Sequence, residues 1–326
     1  MTWVILAFVS AICLGFYDIS KKVALRDGSV VDVLTASILI SSCILLIPLL
    51  LSRLAPSLMT DTMFFVPTLD LRGHLLTVLK SVIVLSSWLC AYLALKHLPI
   101  SVVSPWQATR PMWTLIGAML IFGERLNPWQ WTGVLLAIGS IFLFQLSSSD
   151  FRLSSFDFRL STLSRPRLRS NYYIALALAI IIGAGSGLYD KYIMRLYDHN
   201  AVQVYYTLYQ AVMMTLFCYI HHRRHPSPVT PHPSPFVFRL STFDFRLSTL
   251  LPIALISIFL VISDNVYMLA LQDPDSMIAV VSTIRRGGTV IGFAYGLIFL
   301  KEKDPYKKVL CMLGILAGLI CLALGS

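Results

Sequence analysis

The chain has 326 residues, of which 57 % are apolar and only 13 % are charged. Soluble domains carry about a quarter of charged residues, so this composition excludes an ordinary soluble protein. The formal net charge is +10. Because basic and aromatic residues do not cluster, we expect this charge to orient the chain in a bilayer and not to bind nucleic acid. A multi-pass protein of the cell (inner) membrane is the class that remains.

Apolar stretches of membrane-spanning length follow one another along most of the sequence. A hydrocarbon core about 30 Å thick needs roughly 20 helical residues. The sequence therefore predicts an all-α integral membrane protein with ten transmembrane helices, at 2–20, 31–51, 75–95, 100–122, 128–146, 172–194, 201–220, 250–271, 276–299 and 306–324. We divide the chain into a first five-helix repeat (1–147), a linker (148–171) and a second five-helix repeat (172–326) with an expanded loop (221–249).

Two motifs of the first half return in the second half. Gly15-Phe16-Tyr17-Asp18 matches Gly187-Leu188-Tyr189-Asp190, and Glu124 with Asn127-Pro128 matches Glu302 with Asp304-Pro305. Because five is an odd number of spans, the second copy enters the membrane from the opposite side. Inverted repeats of this kind form the central, alternately open site of many secondary transporters.

Two loops contain a seven-residue unit, Phe-Arg-Leu-Ser-Thr-Phe-Asp, at 150–163 and 236–250. No apolar seam continues for three heptads, so the period does not indicate a coiled coil. The nucleotide unit TTTCGAC, read straight through, encodes this heptapeptide. We therefore attribute both loops to an expanded DNA repeat and assign them no function, since loop closure tolerates such insertions.

Metal-binding and cofactor motifs are not indicated by the sequence. The six cysteines lie in apolar spans without metal spacing, which is typical of small core residues. His221, His222 and His225 form a basic loop, for which a metal site is the less favoured interpretation. We expect no metal and no cofactor.

Ionisable side chains in the middle of a span are costly in lipid and are therefore candidates for function. Span four carries Arg110, with Gln107 on the same helical face. Span nine, its repeat mate, carries Arg285 and Arg286, with Ser282 on the same polar stripe. Helix breakers accompany both stripes, as at many transporter binding sites: Pro105, Pro111 and Gly287-Gly288.

Span eight adds Asp264 and Asn265 at mid-depth, and its mate, span three, offers Trp88. Two interpretations stay open. Either Asp264 pairs permanently with Arg285 or Arg286, or the arginines face a wet cavity and bind an acidic group of a substrate. Three mid-span arginines against one aspartate leave two positive charges unmatched, which favours an anionic or zwitterionic ligand.

Asp18 and Asp190 lie near the ends of spans one and six, preceded by Tyr17 and Tyr189. One interpretation is a local ion pair with the neighbouring lysines, which for Asp190 means Lys191. Their symmetric placement also suits gating or proton-coupling residues.

Glu124 and Glu302 lie in short turns just before a helix. Asn127 and Asp304 are good N-cap residues, and the prolines that follow suit the first helical position. We interpret both glutamates as parts of structural turns and not as catalytic groups.

The sequence around these turns resembles a known family. Gly123-Glu124-Arg125-Leu126 and the following Pro128-Trp129-Gln130-Trp131-Thr132-Gly133 are similar to the end of span four and the start of span five in EamA-type carriers of the drug/metabolite transporter superfamily. Leu300-Lys301-Glu302-Lys303 resembles the second copy, and Tyr92-Leu93-Ala94-Leu95-Lys96 the exit of span three. The resemblance implies transport of small metabolites by alternating access, without nucleotide hydrolysis. The pair Arg285-Arg286 departs from the family, in which many members are apolar at this point.

We therefore expect a secondary transporter whose partners are a small-molecule substrate and the lipid bilayer. A flippase-like carrier of lipid-linked or sugar-phosphate headgroups and a non-transporting scaffold or sensor are the alternatives. An enzyme is not expected, because HExxH, GxSxG and paired-carboxylate motifs are missing from the sequence. The orientation of the termini stays open, since the charge bias of the loops places them outside and the resemblance implies the cytoplasm.

Overall fold

The computed structural model describes residues 2–27, 30–60, 62–97, 106–107, 109–147, 166–224, 247–288, 290–291 and 305–325. Regular structure in these ranges is helical. The helices are α1 (Thr2–Asp27), α2 (Val30–Leu54), α3 (Pro56–Met59), α4 (Leu71–His97), α5 (Arg110–Phe122), α6 (Pro128–Ser147), α7 (Pro166–Met194), α8 (His199–Arg224), α9 (Leu247–Gln272), α10 (Ile278–Arg286) and α11 (Pro305–Leu324). Pro105, Glu302, Asp304, the first heptapeptide loop and the second up to residue 246 lie outside the described residues.

Five of the described helices contain a stretch that is long and apolar enough to cross a membrane. At 26 residues, α1 extends about 39 Å, more than the roughly 30 Å of a hydrocarbon core. The stretches are Thr2–Lys21, Val31–Leu54, Leu71–Ala91, Asn171–Met194 and Leu250–Gln272. The prediction of a multi-pass, all-helical membrane protein is confirmed, and the ten-span inverted arrangement stays a prediction.

The long helices pack in pairs. Helix α1 lies along α9, α4 along α7, α2 along α8 and α6 along α11, while α5 packs against both α7 and α10. Serines join the first pair: Ser10 Oγ donates to Ser263 O at 2.9 Å, and Ser263 Oγ donates to Ser10 O at 3.0 Å. Such small polar residues let membrane helices approach closely and hold them together.

Helix α10 ends at Arg286, and the glycines predicted to interrupt span nine form a turn directly after it. Gly288 lies against the backbone of α1. A Cβ atom at this position would be 2.3 Å from the carbonyl oxygen of Ala11 and 3.2 Å from the amide nitrogen of Gly15. Only glycine permits this approach, so the interruption fixes the end of α10 beside α1.

Both ends of the described chain lie at one end of the bundle, which we call the terminal face. Thr2 Oγ1 donates to Asp273 Oδ2 at 3.4 Å, and Asn127 Nδ2 donates to Gly325 O at 2.6 Å. Asn127 also begins α6 with a reciprocal capping box, because Gln130 N donates to Asn127 Oδ1 (2.8 Å) and Asn127 N to Gln130 Oε1 (3.0 Å). The predicted N-cap at Asn127 is confirmed.

Two aspartates cap helices at the terminal face. Gly73 N donates to Asp70 Oδ1 at 2.8 Å, and this bond lowers the pKa of the Asp70 carboxyl at the start of α4. Partial burial alone would raise the pKa of Asp198 before α8, but hydrogen bonds from His199 and from the amides of Ala201 and Asn200 outweigh it and lower the pKa.

Candidate functional site

Arg285, Asp264 and Tyr267 form the centre of a charged cluster between α9 and α10. Arg285 Nη2 donates to Asp264 Oδ1 at 2.8 Å, and the guanidinium carbon lies 3.9 Å from the centre of the Tyr267 ring. The Arg285 Nε and the Ser282 Oγ are buried without a hydrogen-bond partner among the described residues. Asp264 therefore neutralises Arg285, while the Arg285 Nε and the Ser282 Oγ can still donate hydrogen bonds to another group.

Arg110 begins α5 and reaches across to α7. Its Nη2 donates to Gly183 O at 2.5 Å, and a Cβ at position 183 would be 2.6 Å from the Arg110 Cζ. A side chain at position 183 would therefore displace the guanidinium end of Arg110 from this place. Among the described residues, no carboxylate lies within ion-pair distance of this guanidinium.

The three arginines singled out in the sequence lie close enough to act on one another electrostatically. Arg110 interacts unfavourably with both Arg286 and Arg285. Arg286 is in turn stabilised by the charge of Asp18 on α1. The pseudo-symmetric placement expected for spans four and nine thus brings these positive charges into one region.

Lys80 and Asp190 form a second buried ion pair beside this cluster. Lys80 is 2 % exposed and its ammonium lies 4.6 Å from the centre of the Tyr206 ring. The hydroxyl of Tyr267 donates to Asp190 Oδ2 at 3.4 Å, so one tyrosine connects the two ion pairs. Lys80 is not among the residues predicted from the sequence, although it is also a charge inside an apolar run, which is the signal that identified Arg110.

Residues 189–191 of α7 bind three different elements at the terminal face. Tyr189 Oη donates to Leu76 O of α4 at 3.0 Å, and Asp190 binds Lys80 of the same helix. Lys191 instead binds Glu124 of the α5–α6 turn, at 2.8 Å, and the carbonyl of Ser276 just before α10. The interpretation of Asp190 and Lys191 as a local pair is wrong, because consecutive helical residues point in different directions.

Glu124 does more than shape its turn. Its Oε1 accepts hydrogen bonds from Lys191 and from Ile278 N, both at 2.8 Å, and its Oε2 accepts one from Ala279 N at 3.2 Å. The carboxylate of the first half thereby caps the N-terminus of α10 in the second half, where unpaired amides and the helix dipole favour an anion. The interpretation of Glu124 as a structural residue holds. Its hydrogen-bond donors, which belong to other helices, could not be predicted from the sequence.

The remaining candidates occupy different environments. Asn265 Nδ2 donates to Asn200 Oδ1 at 2.9 Å and to Gln203 Oε1 at 2.8 Å. Tyr17 packs in an apolar cluster with Ala24 and Ile253, and its ring centre lies 5.5 Å from the Lys21 ammonium. Asp18 is exposed. Gln107 is half-buried and makes no hydrogen bond to a described residue that would hold it beside the arginines.

A small cavity of about 20 Å³ lies between α2, α4, α8 and α9. Asp264 belongs to its wall, so the cavity adjoins the arginine cluster. Trp88, a sequence-predicted site residue, also lines it. We call this space the polar cavity, and its hydrogen-bonding and aromatic walls are Ser41, Trp88, Gln203, Tyr206, Gln210 and Asp264.

Comparisons with known proteins agree with this architecture. Residues 1–146 match the model of the EamA-like transporter family. The search of curated proteins finds no match. One solved structure, described only as "Crystal structure of protein", superposes with a TM-score of 0.69 at 13 % identity, covering 99 % of this chain and 96 % of its own. At that identity the similarity shows a shared fold alone.

Proposed function

Residues 1–146 belong to the EamA-like transporter family, and we propose that the chain is a secondary transporter of a small anionic or zwitterionic metabolite. In this proposal the substrate's acidic group binds in the region of Arg110, Arg285 and Arg286. Transport proceeds by alternating access of that region to the two sides of the cell (inner) membrane.

The packing of the helices supports an inverted five-plus-five arrangement. We number the spans of each half one to five. The pair α1 and α9 then joins the first span of the first half to the third span of the second half, and the pair α4 and α7 joins the third span of the first half to the first span of the second half. The pairs α2 with α8, α5 with α10 and α6 with α11 join second to second, fourth to fourth and fifth to fifth. A two-fold axis in the membrane plane generates this pattern. The family match also ends at residue 146, next to the boundary at 147 that we propose for the first repeat.

The observation that carries the proposal is Arg110. A guanidinium has five donors, and among the described residues Arg110 uses one nitrogen on a backbone carbonyl and faces no carboxylate within ion-pair distance. The charges of Arg286 and Arg285 act unfavourably on it, and the more distant charge of Asp190, which is itself paired with Lys80, acts favourably. Charged groups of this kind persist at membrane depth where they serve a substrate or an ion pathway. A carboxylate or phosphate supplies the missing charge.

The bonds at the terminal face suit a closed gate. Tyr189, Asp190 and Lys191 join α7 to α4 and, through Glu124, to α5, α6 and α10. We propose that these bonds break when the site opens to that face. Asp190 and Tyr189 then have gating or coupling roles, and Tyr17 and Asp18 are their counterparts near the other face.

A ligand-dependent unfolding measurement tests the function. Purified protein is heated with a panel of small carboxylates, phosphates, amines and neutral sugars, and the melting temperature is compared with that of Arg110→Gln. A ligand that binds only the folded state raises the melting temperature by mass action. We expect stabilisation by acid-bearing compounds in the wild-type protein and its loss in Arg110→Gln.

Arg72→Gln, at an exposed position at the start of α4, is the matched control and should keep the wild-type response. Equal stabilisation of Arg110→Gln and wild type by the same acids would contradict an acid site at Arg110. Stabilisation by neutral sugars or amines alone would contradict an anionic substrate.

A further inference from the structure

Tyr267 of α9 lies between two ion pairs and contacts both. The Arg285 guanidinium carbon lies 3.9 Å from the centre of its ring, while its hydroxyl donates to Asp190 Oδ2 at 3.4 Å. The side chain is 5 % exposed, and a tyrosine side chain is rigid because it has only two χ angles. Ring and hydroxyl therefore move together, so a displacement of the ring on the Arg285 side also displaces the hydroxyl on the Asp190 side.

The two ion pairs have different places in the proposed transport cycle. Arg285, which is bound to Asp264 at 2.8 Å, belongs to the region in which we propose that the acidic group of the substrate binds. We call that region the acid site. Asp190 uses its other oxygen, Oδ1, to bind Lys80 of α4, and this bond belongs to the proposed gate at the terminal face. A side chain that contacts both pairs is placed to connect the site with the gate.

The hydroxyl contact of Tyr267 is easily broken. At 3.4 Å it is longer than the usual range of about 2.5–3.0 Å for a hydrogen bond between two oxygens, so a small tilt of the ring ends it. The position of the ring depends in turn on Arg285, which covers its face. A carboxylate or phosphate attracts a guanidinium more strongly than the face of a neutral ring does. An acid that binds Arg285 therefore draws the guanidinium from the ring and leaves Asp190 with one donor fewer.

We propose that Tyr267 is a positioning residue that couples occupation of the acid site to the bond between Lys80 and Asp190. This inference rests on the proposed function, because the acidic group of the substrate is what moves Arg285. Binding of the acid weakens the gate bond through the ring and the hydroxyl of Tyr267. By linkage, weakening of the gate bond favours binding of the acid to the same extent.

Chemical labelling of Lys80 measures the state of the gate bond. The residue is buried, at 2 % exposure, so an N-hydroxysuccinimide ester should acylate its amine slowly while the bond is intact. The full chain is labelled in detergent, and the rate at Lys80 is followed by mass spectrometry. Inorganic phosphate and succinate are the acids, and their dissociation constants are measured by titration calorimetry. We expect a saturating acid to raise the labelling rate at least about fivefold, which is the lower limit of ordinary allosteric coupling.

Tyr267→Phe separates the hydroxyl from the ring. The variant keeps the aromatic face beside Arg285 and should therefore bind the acids at least as tightly as wild type. Its Lys80 should label faster than in wild type, and addition of the acid should cause no further change. Tyr192→Phe, which removes a hydroxyl from a 40 % exposed tyrosine on α7, is the matched control and should keep the wild-type response. A merely structural tyrosine would lower the melting temperature of Tyr267→Phe and leave the acid response of Lys80 as in wild type.

A second experiment needs no ligand. The double variant Arg285→Gln/Asp264→Asn takes the guanidinium from the face of the ring without leaving an unpaired charge. Its Lys80 should label at least about fivefold faster than that of wild type. The same two substitutions should have no effect on the labelling rate in the Tyr267→Phe protein, because the hydroxyl that transmits their effect is already missing there.

The outcomes separate the coupling from the proposed function. Binding of phosphate or succinate without a change at Lys80 would overturn the coupling and leave the acid site in place. An acid response that persists in Tyr267→Phe, or an equal effect of the double variant with and without the hydroxyl, would overturn the role of Tyr267. Binding of neither acid, together with no stabilisation by any acid of the thermal panel, would contradict the proposed function. The double variant alone would then decide whether Tyr267 connects the two ion pairs.

Discussion

Removing the Glu124 side chain tests the link between the two halves at the terminal face. The carboxylate accepts three hydrogen bonds, from Lys191 Nζ, Ile278 N and Ala279 N, and the Lys191 side chain is 3 % exposed. Glu124→Ala leaves a buried ammonium without its counter-ion and α10 without its cap. Breaking a buried ion pair by removing one partner costs about 3–5 kcal/mol, and we expect a loss in this range.

The assay is reversible unfolding of purified protein in mixed detergent micelles, followed by circular dichroism. Glu124→Gln should have an intermediate effect, because the amide oxygen still accepts a hydrogen bond from one backbone amide. The double variant Glu124→Ala/Lys191→Met should recover part of the loss, since it removes the unpaired charge. Arg125→Ala changes an exposed side chain in the same turn and is the control. If Glu124→Ala destabilises no more than Arg125→Ala, the Glu124 contacts do not hold the two halves together.

Three further predictions follow from individual contacts. Gly183→Ala places a Cβ 2.6 Å from the Arg110 Cζ and should weaken acid binding at least tenfold in calorimetry, since a loss of about 1.4 kcal/mol in binding free energy has that effect. The control is Gly185→Ala, whose Cβ meets nothing within 4 Å and which should bind acids normally. Equal affinities of the two variants would refute the contact between position 183 and Arg110. Lys80→Met isolates the buried Asp190 carboxylate and should destabilise by about 3–5 kcal/mol in the same unfolding assay, with partial recovery in Lys80→Met/Asp190→Asn. The pKa of Asp198 is lower in the folded state, so its stabilisation is complete above its ordinary value of 3.8 and is lost as the pH falls through the lower folded value; wild type should therefore lose more stability between pH 5 and pH 3 than Asp198→Asn, and parallel profiles would contradict this cap.

The class of the protein and most helix positions follow from apolar length alone, because a bilayer imposes a minimum length on every spanning segment. Eight of the predicted spans fall on a described helix of similar extent. In spans four and nine the helices are shorter, because α5 begins at Arg110 and α10 ends at Arg286. The break after Arg286 was visible because Gly287-Gly288 is a strong local signal. The packing reason for this break could not be predicted from the sequence, because Gly288 and Ala11, which are in contact, are 277 positions apart in the chain.

The same distinction applies to the site. Arg110, Arg285 and Asp264 are recognisable because a charge within an apolar run is rare, and the pairing of Asp264 with an arginine was one of the two interpretations offered. The choice of Arg285 depends on the helical phase of α10 against α9. Lys80 was overlooked because it lies near the start of span three, where a lysine reads as an interfacial residue. The partner of Lys191 depends on how three elements meet in space, which periodicity does not encode.

Uptake into proteoliposomes tests the central claim most directly. Vesicles that contain the protein are loaded with an unlabelled acid that stabilises it against heat and are diluted into a trace of the same labelled acid, without nucleotide. The account predicts transient accumulation of label by exchange, its absence in Arg110→Gln, and its retention in Arg72→Gln. Uptake no greater than in protein-free vesicles for every stabilising acid would contradict the assignment as a transporter of anionic substrates.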